Sequence, residues 1–157
     1  MSSLALQLAI AGLASALVGP AQADTIPPCR PPRGVVARAP TEPRTLLVLA
    51  TLRQRLGEIA APDAEFDSTD IVETGVGRRL IFVWQKGPLW VVATEHGGRG
   101  YNDPIFMLRF GQEDSTPELV GAKLAFPDSV CKTVRAVIGG APLDPWRRPL
   151  PLPQQTD

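Results

Sequence analysis

Two hydrophobic periods divide this chain. Leu46, Leu49, Leu52, Leu56 and Ile59 recur at spacings of three and four, with Arg53, Gln54, Arg55 and Glu58 falling largely on the other side. That spacing places one apolar stripe along a helix. Thr41 stands where an N-cap is wanted, with Glu42 and Pro43 in the first turn. The pattern predicts an amphipathic helix over 42–60, stopped by Ala61-Pro62.

Further on the period changes. Leu80-Ile81-Phe82-Val83-Trp84 and Leu89-Trp90-Val91-Val92-Ala93-Thr94 are β-branched and aromatic runs separated by Lys86-Gly87-Pro88, which predicts a hairpin. Ile105-Phe106-Met107-Leu108-Arg109-Phe110 supplies a third strand after a loop running from Glu95, and residues 70–74 suit a further short one. The first two runs are almost continuously apolar, so both faces of the sheet are expected to be covered, or one of them to be an interface. Ser115-Thr116-Pro117-Glu118 reads as a helix start that Gly121 limits. A better helix runs over 128–138, where Val130, Val134, Val137 and Ile138 share a face and Gly139-Gly140 end it.

Helix, strands, helix in that order predicts an α+β fold: a small antiparallel sheet of three or more strands, packed by an N-terminal and a C-terminal helix on one face. The expected domain covers 41–140. Before it lies a Pro-rich extended segment, 24–40, with Pro27, Pro28, Pro31, Pro32 and Pro40. After it comes a Pro-rich tail, 141–157. Arg147-Arg148-Pro149-Leu150-Pro151 within that tail has the form of a polyproline ligand, although a plain chain end explains it more simply.

The start of the chain carries a different pattern. Leu4 to Val18 is apolar or small apart from Gln7 and Ser15, Gly19-Pro20 breaks it, and Ala21-Gln22-Ala23 has the small residues of a cleavage site. Residues 1–23 therefore read as a secretory signal peptide, although no Lys or Arg precedes the apolar run. A spanning helix needs about 20 apolar residues, so no integral membrane anchor is expected after cleavage. The localisation that follows is periplasmic or secreted.

Export changes the meaning of the cysteines. Cys29 and Cys131 are the two in the chain, and in an oxidising compartment they are expected to form one disulfide. A loop of about 100 residues closed this way stabilises by up to roughly 4.7 kcal/mol. The 16 basic and 16 acidic residues balance, which removes any general pull toward nucleic acid.

Candidate chemistry concentrates between the second and third strong strands. Thr94-Glu95-His96-Gly97-Gly98-Arg99-Gly100-Tyr101-Asn102-Asp103 holds the sole histidine and the sole tyrosine. Three glycines and Arg99 suit a small anion-binding nest. His96, Gly97, Gly98, Arg99, Gly100 and Tyr101 are thus the candidate binding residues. Glu95 or Asp103 beside His96 suggests a general-base pair, and Glu95 with Asp103, or Glu113 with Asp114, suggests a two-carboxylate arrangement. The same residues also serve an ordinary turn. Arg78 and Arg79, with Arg99 and Arg109, form a candidate basic patch.

No G-x-S-x-G elbow is present, one histidine is too few for a His-rich zinc site, and nothing calls for a cofactor. The sequence therefore points to a non-enzymatic binding or protein-interaction domain of the bacterial envelope, of inhibitor, immunity or accessory-subunit type, acting through the 95–103 loop. Its partner would be a protein or small-molecule ligand in the envelope. The alternatives are a small periplasmic hydrolase using His96 with Glu95 or Asp103, and a structural envelope protein that self-associates.

Overall fold

The computed structural model describes residues 29–68, 76–98, 102–111 and 116–144. The expected leader, the strand expected over 70–74, Arg99-Gly100-Tyr101, the pair Glu113-Asp114 and the chain beyond Asp144 lie outside the described residues.

Five strands form one antiparallel sheet in chain order: β1 (Val36–Arg38), β2 (Arg78–Lys86), β3 (Leu89–His96), β4 (Asp103–Arg109) and β5 (Glu118–Ala125). Helix α1 (Pro43–Leu56) lies between β1 and β2, and α2 (Val130–Ile138) follows β5. This is an α+β arrangement with one disulfide, Cys29–Cys131.

The helices do not share a face. Trp90, Val92, Phe106, Leu108 and Ala122 pack with Val48, Leu49 and Leu52 of α1. Their neighbours Val91, Ala93, Ile105, Met107 and Ala125 pack with Val130, Val134 and Val137 of α2. Successive strand residues point to opposite faces, so the expectation of helices on one side is corrected to three layers, α1, sheet and α2. This also accounts for the continuously apolar runs of β3 and β4: neither face is left to water. Each fully buried large side chain here contributes about 1.5–3 kcal/mol.

Expectations for α1 are corrected in three places. Helix α1 ends at Leu56, because Gly57 turns to φ 82° and its amide donates to the Arg53 carbonyl. Ile59 reaches the core from the following loop rather than from the helix. The buried face of α1 is Thr45, Val48, Leu49, Thr51 and Leu52, while Leu46 is 48% exposed. A stripe through 45, 48, 49 and 52 satisfies the helical period as well as one through 46, 49 and 52, and the bulk of Trp90 and Phe110 beneath α1 decides between them. The cap is Glu42 rather than Thr41, its carboxylate accepting from the Ala39 amide at 2.9 Å and from Arg38.

The helix start read at 115–118 leads instead into β5, since β4 offers that segment a full ladder. Pro117 stands just outside the strand, where its missing N–H costs no ladder bond. Gly121 pairs with Met107 while Leu119 pairs with Leu108, so Val120 is a bulge. The outer edge of β5 is itself partly covered, with the Ala122 amide donating to the Asp144 carbonyl at 3.1 Å and the Asp144 amide returning a bond at 2.9 Å.

Candidate functional site

The sheet brings part of the candidate cluster together and separates the rest. Glu95 and His96 are the last two residues of β3, and Asp103 is the first of β4. The expected 95–103 loop is therefore shorter, a connection over 97–102 pinned by mutual backbone bonds between His96 and Asn102.

Alternation then sorts the side chains. Ala93 pairs with Ile105 and His96 with Asn102, so Glu95 falls opposite Asp103 on the α2 face. Arg79 pairs with Glu95 from β2. The row reads Arg79, Glu95, Asp103 across three adjacent strands. His96 points to the other face, paired with Arg78. The general-base pair of His96 with Glu95 or Asp103 is corrected accordingly, because neither carboxylate shares a face with the imidazole. Its pKa is lowered by burial and by the Arg78 charge, with no carboxylate contributing.

The row itself has unusual electrostatics. Glu95 is 1% exposed and Asp103 0%. Arg79 holds the Glu95 carboxylate through Nε at 3.0 Å and through Nη2 to the same oxygen, Oε2, and its guanidinium lies 4.5 Å from the Phe66 ring centroid. Glu95 Oε1 and both carboxyl oxygens of Asp103 accept no hydrogen bond among the described residues. Burial and the neighbouring Glu95 charge raise the Asp103 pKa to about 7. Arg79 thus partners one carboxyl, while the other holds its proton to higher pH than a free aspartate, since two adjacent buried carboxyls resist carrying two charges.

Gly97 and Gly98, the described glycines of the expected anion nest, make close backbone contacts. The Gly97 amide donates to the Gly77 carbonyl and the Gly98 amide to the Ser68 carbonyl. A Cβ on Gly97 would collide with the Asp67 carbonyl oxygen and Ser68 Cα. Three stretches of chain, 67–68, 76–78 and 96–98, are thereby joined into one surface at this end of the sheet.

Among the described residues the members of the expected basic patch are divided between the two ends of the sheet. Arg79 is committed to Glu95, and Arg109 closes β4 at the far end of the sheet, opposite Leu89 and Glu118. Sequence reasoning also missed a cleft at that far end, lined by Arg44, Gln85, Pro88, Trp90 and Phe110. Its residues come from three elements distant in the chain, and no local pattern signals their meeting. No group of His, Cys, Asp and Glu among the described residues has the makings of a metal site, and no described helix is long and apolar enough to cross a membrane.

Comparison with protein-family models, curated proteins and solved structures finds no match.

Proposed function

We propose that the protein is an exported binding domain of the envelope that engages a partner through the surface around His96, formed by residues 67–68, 76–78 and 96–98 with the adjoining loop. The observation that carries this reading is the sealing of both carboxyls. Glu95 and Asp103 have almost no exposure, whereas His96 and Gly98 at the end of the same strand are half-buried. Such a surface offers contacts while its two carboxyls are withdrawn from solvent. Rigid strands hold it on both sides, the setting in which connecting segments carry recognition.

The test uses the full mature protein with its disulfide intact. A crosslinking capture from envelope extract is run beside a His96→Ala/Arg99→Ala double variant whose fold is checked by circular dichroism. A partner held by the wild type and lost by the folded variant supports the reading. Equal capture by both removes this surface from the account, and capture of the protein alone favours self-association.

One observation favours a second reading, a hydrolase built on the acid pair. A carboxyl paired with Arg79 beside one whose pKa is raised resembles the division of roles that two-carboxylate chemistry uses. It requires the end of the sheet to open. Hydrolysis of a glycoside that is lost in both Glu95→Gln and Asp103→Asn, with a pH limb near 7, would decide for it.

A further inference from the structure

Arg78 and His96 stand directly opposite each other on β2 and β3. Cross-strand partners have Cβ atoms about 4.5–5.5 Å apart, so the two side chains leave the sheet as neighbours. Leu80 on β2 and Val92 on β3 belong to the core beneath α1, and alternation carries their face on to Arg78 and His96. Both residues keep part of their surface open to solvent.

This pair of basic groups has no counter-ion among the described residues. Neither the Arg78 guanidinium nor the His96 imidazole makes a hydrogen bond or ion pair with a described side chain. Burial lowers the pKa of Arg78, burial and the Arg78 charge lower that of His96, and no described carboxylate opposes either shift. The other face of the same two strands is finished differently. There Arg79 and Glu95, the next pair in the register, close on each other. Like charges placed opposite one another are destabilising, and a guanidinium carries five N–H donors. Arg78 and His96 therefore offer donors and positive charge together, and the described chain brings no anion to them.

We infer that Arg78 and His96 together hold an oxyanion, the carboxylate or phosphate of a ligand, at this end of the α1 face. The guanidinium fork takes two of its oxygens, and the protonated imidazole donates a third bond from the adjacent strand. The anion also relieves the repulsion between the two basic groups, so its binding and the protonation of His96 support each other. This inference rests on the reading of the His96 region as a binding surface and gives that surface its ligand chemistry.

The test follows the imidazole Cε1–H resonance of His96, the sole histidine, in the full mature protein with its disulfide intact. Inorganic phosphate and, separately, acetate are titrated in at an ionic strength held constant with chloride. Phosphate is expected to shift the resonance saturably below about 10 mM and to raise the His96 pKa by about one unit. Arg78→Gln should weaken phosphate about ten-fold with unchanged thermal unfolding, and Arg78→Lys should retain part of the binding. Arg109→Gln, at the far end of the sheet, should leave it unchanged. Saturable binding of acetate as well assigns a carboxylate ligand, and binding of phosphate alone assigns a phosphorylated one. No saturable shift with either ion, or full phosphate affinity in a folded Arg78→Gln protein, would overturn the inference. Partner capture without any oxyanion binding would likewise overturn it and leave the interaction surface standing. Oxyanion binding with no captured partner would leave the ion site and remove the protein partner.

Discussion

Replacing Asp103 by Asn tests the electrostatics of the buried row most directly. In the native state the Asp103 pKa is about 7, against an ordinary value of 3.8. Between those limits the folded protein keeps a proton that the unfolded chain has released. Stability from this group is therefore greatest below about pH 4, falls as pH rises toward 7, and is level above that. At 1.36 kcal/mol per pKa unit the loss across the window is about 4 kcal/mol. An Asn side chain carries no proton to lose, so the variant lacks this slope. The assay is urea unfolding of both proteins at several pH values from 4 to 8.5, with the disulfide intact, and the quantity to follow is the difference between them. Every other titrating group common to both largely cancels from that difference. It should tilt in favour of Asp103→Asn by about 4 kcal/mol between the ends of the range. Any cost of fitting the amide is the same at all pH and shifts the curve without tilting it. A difference that stays constant from pH 4 to 8.5 would refute the placement of a protonated Asp103 beside Glu95.

Other consequences follow from the same geometry. Arg79→Ala leaves the buried Glu95 charge without its partner and should cost about 2–4 kcal/mol in urea unfolding at pH 7, less than for a fully sealed pair because Arg79 is partly exposed. The His96 imidazole should titrate below 6.5 in an NMR pH series, and Arg78→Gln should move it upward by removing the charge that depresses it. Gly97→Ala should destabilise by about 1–3 kcal/mol or separate 67–68 from 96–98, seen as faster amide exchange at Gly98. Cys131→Ser should lower stability by up to about 4.7 kcal/mol, with a reductant giving the wild type the same loss.

Much of the sheet is legible in the sequence because β2, β3 and β4 are long, β-branched and aromatic, and because Gly87-Pro88 leaves a two-residue hairpin turn. What escapes is decided by packing. Leu46 and Val48 are both apolar, and only the bulk of the floor beneath α1 selects Val48. The 115–118 segment carries good helix-start residues, yet the free edge of β4 outweighs local preference. The acids tell the same story at the site. Glu95 and His96 look like partners because they adjoin in sequence, but in a strand that adjacency puts them on opposite faces. Glu95 and Asp103, eight positions apart, are the ones that meet. Carrying the alternation of β3 onward through His96 is enough, on sequence grounds alone, to part the imidazole from the carboxyls.

The order of the sheet, β1 through β5 without a crossover, bears on how the chain reaches this state. From β2 to β5 each strand pairs with its neighbour across a short connection, so that part assembles hairpin by hairpin with little loop-closure entropy. By contrast, β1 joins only across the long segment that holds α1. The Cys29–Cys131 link spans further still, joining residues 102 apart. Its two thiols are brought within reach only when α2 has settled on the finished sheet. Oxidation therefore seals a topology already formed, and a refolding experiment should find native strand pairing in the reduced chain before the bond closes.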